Sequence, residues 1–509
     1  MAQPGAATPP ATERRSRPWG QIQLVTLAAA YAGLALASAL TLQPWCDEAW
    51  FSSPALNLIS KGHMGTSVLD PTASWRSVQL EGIDRRTYWI MPFYVLAQSA
   101  WYRLVGFGLF PMRALSIVSG LAALAAWFVI VRALAGDRRV ALAAAALLAV
   151  DGQFLWSASV GRMDMMTAAL AFGAIAAYLG LRERHFGRAL LAGHGLCAAG
   201  VLTHPVGVLG AAGLLFLMLY MDRKRLRAVH LALAAAPYAA GAAAWGWYIA
   251  QDAALFRAQF GGNASDRWLI FTSPLAALWK ELVERYGYSF GLAPDAGGAA
   301  RVKALALAGY AAGVAGALLT RRIRQDRGYR ALIGLGLVYG VGLLVLDGFK
   351  QRFYLVHTLP FLATALAAWL IEGRLRRGLA AVIAGGVVVV QLGVTMSRVA
   401  QDRYRNVYLP AAAYLKEHAG APGPIMGSAE FAFELGFDGK LVDDFRLGYR
   451  SGKRPGLIVV DDQRYAEWIA KLKEQDPGNY AYARKLLADE FRLVYERGSY
   501  RIYGRPHGL

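Results

Sequence analysis

The sequence predicts an all-α polytopic membrane bundle of about eleven transmembrane helices, followed by a small C-terminal α/β domain. Three observations carry this. The 509 residues are 56% apolar with a mean hydropathy of +0.33, more apolar than an ordinary soluble domain. Apolar runs of roughly 17–25 residues recur along the chain, the length that crosses a ~30 Å hydrocarbon layer. Basic residues gather in short segments between those runs rather than in one patch, the pattern of cytoplasmic loops.

The runs fall at 22–42, 112–134, 140–157, 163–181, 188–202, 205–221, 228–250, 302–320, 330–347, 355–371 and 379–397. Charges within them, such as Arg113, Arg132, Lys303 and Asp347, sit near the ends. Abundant Gly and Ala let helices approach closely in lipid. Six short segments carry much of the formal net charge of +20: 1–21 (Arg14, Arg15, Arg17), 135–139, 182–188, 222–227, 321–330 and 372–377. The charge therefore reports topology and excludes a nucleic-acid partner as its cause.

The same charges settle segment 90–107. If it crossed the membrane, every later basic loop would face outward. Its aromatics (Phe93, Tyr94, Trp101, Tyr102) and Arg103 fit an amphipathic helix lying on the outer surface. The N-terminus is then inside and the C-terminus outside, in the inner (plasma) membrane. Residues 1–21 read as a disordered cytoplasmic tail, 22–397 as the transmembrane domain and 398–509 as an extracytoplasmic α/β domain. The first span lacks a small-residue cleavage site and reads as an anchor. Trp268–Phe290, mixing aromatics with Lys280, Glu281, Glu284 and Arg285, suggests another interfacial helix.

In the tail, helix-like stretches 407–419, 463–474 and 480–489 alternate with β-type runs at 424–428, 440–443, 457–461, 491–496 and 499–504. The pairs Asp443–Asp444 and Asp461–Asp462 read first as polar loop residues at strand ends, with a metal or substrate site as the alternative. Cys46 and Cys197 lie at different membrane depths, so neither a disulfide nor a zinc site is expected.

Candidate chemistry begins where the first span ends, at Cys46-Asp47-Glu48-Ala49-Trp50. Adjacent side chains share no helix face, so at most one carboxylate, Asp47 or Glu48, points at a reacting centre. The plain structural alternative has Asp47 capping a helix over 48–60. Gly161-Arg162-Met163-Asp164 places Arg162 and Asp164 in the next outer loop, and ionisable groups at membrane depth usually face a cavity. Lys350 and Arg352, with His357 one turn on, could clamp a phosphate or snorkel to headgroups. His204 before Pro205, and Arg85 and Arg86 in the first loop, are weaker candidates of the same kind.

These stretches resemble the GT-C glycosyltransferases that use lipid-phosphate sugars, related to aminoarabinose transferases and protein O-mannosyltransferases. The resemblance rests on Asp47–Trp50, Ala55–Gly62, Pro92–Tyr94, Pro111–Ser116, Gly161–Asp164 and Arg352–Tyr354 before Pro360, in family order over 22–372. It implies transfer of a sugar from a polyprenyl-phosphate carrier to a glycan, lipid or protein acceptor on the outer face. It further implies Asp47 as general base, Asp164 as the second acidic position and Arg352 near the carrier phosphate. Where many relatives carry a Lys-Pro-Pro-Leu-like stretch, this chain has Trp89-Ile90-Met91-Pro92-Phe93, and the Trp-Trp-Asp signature of oligosaccharyltransferases is absent.

The chemistry suits these residues. A lipid phosphate is already a good leaving group, so one carboxylate and cations holding the departing phosphate suffice. Single displacement would invert the anomeric centre. No cofactor is required, although Asp47 and Asp164 could hold a divalent metal. A transporter or lipid flippase would also explain polar residues in a membrane cavity, but transporters often show internal repeats and midplane charges. A binding protein acting through the tail is a third reading.

Overall fold

Eight helices are long and apolar enough to cross a membrane among the described residues, which in this computed structural model are 18–73, 78–265, 267–462 and 464–506. They are Gln21–Thr41, Leu109–Ala135, Met163–Leu181, Phe186–Thr203, Pro205–Arg225, Ala228–Ala250, Arg327–Leu346 and the first part of Arg377–Glu417. Ala304–Leu319 and Leu359–Glu372 are shorter apolar helices at two further predicted runs. The protein is thus a multi-pass membrane protein. Of the expected disordered tail, residues 1–17 lie outside the described residues, and the first helix begins at Pro18.

The remaining run, predicted as one span at 140–157, is broken. Arg138–Ala149 and Gly152–Ser159 meet at 61°. Asp151 causes the break: one carboxylate oxygen accepts from the Gln153 and Phe154 amides, at 3.0 and 2.9 Å, and caps the second helix. The other oxygen accepts from the Tyr310 hydroxyl at 2.8 Å and from Gln391 Nε2 at 2.6 Å. A buried acid so fully partnered needs no water.

Close packing uses the small residues. A Cβ on Gly313 would lie 2.6 Å from the Leu366 backbone, so helix Ala304–Leu319 can touch Leu359–Glu372 only through glycine. Trp127 is fully buried against Phe172 and Phe361 and donates to Thr364 Oγ1 at 2.9 Å.

Segment 90–107 forms the helix Pro92–Val105, too short to span at 14 residues. It buries Tyr94, Gln98 and Tyr102 and exposes Leu96 and Leu104. The stretch predicted as one helix over Trp268–Phe290 is instead interrupted. Leu269–Thr272 stops before Pro274, Pro274–Lys280 follows, and Glu281–Gly287 widens into a π turn. Its Phe271, Leu275 and Trp279 are exposed, whereas Glu281 and Arg285 are buried.

After Gln401 the chain builds the predicted strands: β1 (Ile425–Met426), β2 (Leu441–Val442), β3 (Leu457–Asp461), β4 (Arg492–Arg497) and β5 (Tyr500–Gly504). Their order is β2-β1-β3-β5-β4. β1 runs parallel to β2 and β3, and β5 antiparallel to β3 and β4. β3 is buried along its length, which fits its unbroken apolar run. Helices Leu409–Glu417, Tyr465–Gln475 and Pro477–Lys485 flank the sheet. The first loop extends it beyond β2: Leu69 bridges Asp443, and Lys453 pairs with Asp70 at 2.7 Å.

Candidate functional site

A cavity of about 820 Å³ opens where the connections predicted to be outward converge. Helix ends and turns of the bundle supply Asp47, Trp156, Arg162, His204, Arg267, Arg352 and Tyr354, and the C-terminal part supplies Ser428, Glu430, Asp461, Arg464 and Trp468. The arginine-rich connections lie at the opposite helix ends, where Arg322 pairs with Glu372 at 2.6 Å.

Asp47 and Asp164 occupy equivalent places, the second residue of helices Cys46–Lys61 and Met163–Leu181. Neither is a cap, because Trp45 and Arg162 hold the cap positions. The helix predicted over 48–60 therefore starts earlier, and the capping alternative for Asp47 falls. Arg162 binds both carboxylates: Nη1 meets Asp47 Oδ2, and Nε meets Asp164 Oδ2 at 2.8 Å. Its guanidinium also lies 3.7 Å from the centre of the Phe353 ring. One cation between two carboxylates leaves the group net negative. Among the described residues Asp47 Oδ1 meets only the Cys46 thiol, at 3.6 Å. Asp164 is buried off the cavity wall, with Oδ1 unpartnered. A divalent metal shared by Asp47 and Asp164 does not fit this arrangement, since Arg162 fills the place between them. Among the described residues no three His, Cys, Asp or Glu side chains converge.

Glu48 faces the other way and is not placed for chemistry. Its oxygens meet Arg113 Nε at 2.7 Å and Nη2 at 2.8 Å, with both side chains fully buried. They also accept from the Trp45 amide at 3.0 Å and the Gly161 amide at 2.8 Å. Arg113 donates further to the Ala39 and Leu42 carbonyls at 2.6 and 3.0 Å. The pair thus ties the end of the first span, helix Cys46–Lys61 and the turn before Arg162 together. Gly161 fits there for lack of a side chain: a Cβ would stand 2.5 Å from Met112 Cγ.

The predicted cation cluster separates. Arg352 lines the cavity 4.2 Å from the Trp156 ring centre, and among the described residues it has no carboxylate partner. Burial, with Arg398 and Arg162 nearby, pulls its pKa down to about 10, so it remains a cation at neutral pH. Lys350 turns away, buried at φ +55° and paired with Glu281 at 3.0 Å. Arg285 joins Glu281 at 2.7 Å and Asp347 at 3.1 Å. This buried network (Glu281, Arg285, Asp347, Lys350) holds the turn that presents Arg352 and Tyr354. Lys350 is therefore a strut and not a phosphate ligand. His357 is fully buried off the cavity, its ring nitrogens unpartnered.

His204 does reach the cavity. Its Nδ1 accepts from the Val206 amide at 3.2 Å, which puts the ring proton of the neutral form on Nε2, 3.2 Å from the Tyr354 hydroxyl. Burial, and the charges of Arg267 and Arg162, hold its pKa well below the usual range. Tyr354 also accepts from Arg267 Nη1 at 3.2 Å, which directs its own proton elsewhere. Arg85 is exposed, and Arg86 donates to the Gln251 carbonyl at 3.0 Å; neither is on the wall.

Sequence reasoning missed the roof. Asp443, read as a loop residue, is a buried hub: it binds Arg464 at 2.8 and 3.0 Å, Trp50 Nε1 at 2.9 Å and the Tyr465 hydroxyl at 2.7 Å. Arg464 is held between Trp50 and Trp468, 4.3 Å from each ring. The signal was present, since Asp443 and Asp461 follow parallel strands, and ligand crevices lie at such carboxyl ends. Arg267, also missed, begins just before the aromatic stretch that was recognised.

No family model matches the sequence, and no curated protein matches it. Solved structures do. ArnT from Cupriavidus metallidurans, bound to undecaprenyl phosphate, aligns over 96% of this chain and 98% of its own at TM-score 0.58 and 14% identity. The archaeal oligosaccharyltransferase AglB from Archaeoglobus fulgidus, in complex with an inhibitory peptide and a dolichol-phosphate, aligns over 96% and 74% at TM-score 0.54 and 12% identity. Helix layout, the first-loop helices and the C-terminal sheet are all included in overlaps of that extent. This chain shares the overall fold of these two membrane proteins.

Proposed function

We propose that this protein is an integral membrane glycosyltransferase that moves a sugar from a polyprenyl-phosphate-linked donor to an acceptor hydroxyl on the extracytoplasmic face. Transfer proceeds by single displacement with inversion, and Asp47 is the general base. One observation carries the reading: a single cavity holds a carboxylate, Asp47, whose Oδ1 lies outside the Arg162 pair, and a cation, Arg352, without a carboxylate partner among the described residues. The donor phosphate sits against Arg352, and the acceptor hydroxyl gives its proton to Asp47 Oδ1 as its oxygen attacks the anomeric carbon. The bond to the carrier phosphate breaks, and the phosphate leaves with the electron pair. Asp164 acts through Arg162, which fixes Asp47. The acceptor is a glycan, lipid or protein. Bound undecaprenyl phosphate in ArnT and dolichol-phosphate in AglB support a lipid-linked donor.

The direct test is to incubate the purified protein with defined polyprenyl-phosphate sugars and identify transferred products by mass spectrometry. Arg352→Ala should raise the donor concentration for half-maximal transfer roughly 10- to 100-fold, the worth of a charged hydrogen-bond partner. Arg352→Lys should recover only part, because bidentate geometry is lost. Unchanged donor dependence in both variants would assign Arg352 to another role.

The orientation is tested by labelling. In a parent with Cys46 and Cys197 replaced by Ala, Lys485→Cys should react with an impermeant thiol reagent from outside, and Arg324→Cys should not. Both sites are exposed. Reversed labelling would put the cavity on the cytoplasmic side and remove the outward-facing model.

A further inference from the structure

The cavity has two chemically different ends. Around Arg352 and Arg267 it is cationic and aromatic; at the roof it carries the carboxyl groups of Glu430, Asp461 and Glu467 beside Trp468. Of the C-terminal arginines on the wall, Arg464 is paired with Asp443, and Arg403 donates to Ser499 Oγ at 3.2 Å. A phosphate is drawn to the first end in preference to the second.

The roof also has the topology of a binding crevice. From β1 the chain goes to β2 on one side, then crosses to form β3 on the other. Neighbouring parallel strands whose connections depart to opposite sides leave a crevice at their carboxyl ends. Ser428 and Glu430 follow β1, Asp461 and Arg464 end and follow β3, and all four line the cavity. Asp461 starts helix Tyr465–Gln475 by accepting from the Arg464 and Tyr465 amides, at 2.8 and 3.3 Å.

Glu430 is the group without a structural assignment. It is 3% exposed. Oε1 accepts from the Tyr500 hydroxyl at 3.0 Å, and among the described residues Oε2 has no hydrogen-bond partner. An unsatisfied buried carboxyl oxygen costs stability unless a ligand meets it. Burial, and the nearby Asp461 charge, raise its pKa to about 8, so at neutral pH it offers a proton as well as an oxygen.

We propose that the carboxyl ends of β1 and β3 form the acceptor subsite, and that Glu430 there hydrogen-bonds the hydroxyls of a carbohydrate ring. The inference rests on the glycosyltransferase reading above. A neutral carboxyl group beside an acidic neighbour and indole walls suits polyhydroxylated, uncharged rings. The subsite shares its cavity with Asp47, where the acceptor hydroxyl is to be deprotonated. The C-terminal part thereby selects the acceptor, while the bundle holds the donor.

The test uses the full-length protein in nanodiscs with undecaprenyl phosphate and diazirine-bearing methyl glycosides as probes. In wild-type protein, photolabel should fall on peptides covering 425–435 and 457–468. Glu430→Met, which keeps volume but no polar group, should cut labelling about fivefold, the worth of a hydrogen bond, and Glu430→Gln should retain it. Undecaprenyl phosphate binding, followed by thermal shift, should be the same in all three proteins. Label elsewhere or nowhere, or equal label in Glu430→Met, overturns the subsite while leaving the donor reading intact. Absence of undecaprenyl phosphate binding in wild-type protein overturns the parent reading instead.

Discussion

Asp47→Asn is expected to yield a folded protein whose sugar transfer falls roughly 10²–10⁴-fold, the contribution of a positioned general base. The substitution is mild for the fold. Asparagine matches aspartate in size, and its carbonyl oxygen can still accept from Arg162. Arg162 remains paired with Asp164 at 2.8 Å, so no buried cation is left bare. Trp45, not Asp47, holds the cap position of helix Cys46–Lys61, so loss of a cap cannot explain a lost activity. The measurement is product formation per folded molecule, with thermal unfolding as the control for the fold. Near-normal turnover at normal stability would remove Asp47 from the chemistry and leave it as the partner that steadies Arg162.

Glu48→Gln, one residue on, should behave in the opposite way. It loses the anion facing Arg113 where both side chains are fully buried. Breaking a buried pair from one side costs about 3–5 kcal/mol, because the remaining charge stays uncompensated. Expression and thermal stability should therefore drop sharply, while transfer per folded molecule changes far less. Replacing both members, as Glu48→Gln with Arg113→Met, should recover much of the loss, because the stranded cation is gone. A stable but inactive Glu48→Gln would return Glu48 to the reaction.

The contrast between these neighbours shows where sequence reasoning stopped. Two adjacent carboxylates at the end of a span announce that at most one faces a cavity, but not which. The choice is made by Arg113, distant in sequence, which arrives from the next span to take Glu48. Lys350 and Arg352 divide in the same way. Both are cations in one short turn, yet Glu281 claims Lys350 and leaves Arg352 to the cavity.

Some features needed only local physics. Apolar run length and the clustering of arginines between runs fix the spans, since both follow from the thickness and polarity of the bilayer. Short β-type runs between helix-like stretches mark the strands of the tail, for the same one-dimensional reason. The helix break at Asp151 went unread: the run 140–157 has the length of one span, and the buried acid is satisfied only by Tyr310 and Gln391 from later helices.

What the sequence determined by itself is the fold class, the positions of eight of the eleven expected spans and the set of ionisable residues at one end of the helices. Tertiary structure alone decided which of them meet. Arg162 gathers Asp47 and Asp164 from separate helices, Asp443 locks the tail onto the first loop through Trp50, and Glu430 and Asp461 arrive as a roof. The physical reason is that periodicity and hydropathy are sums over neighbours along the chain. Pairing a buried charge is settled by whichever opposite charge packing brings within about 3 Å, however distant in sequence.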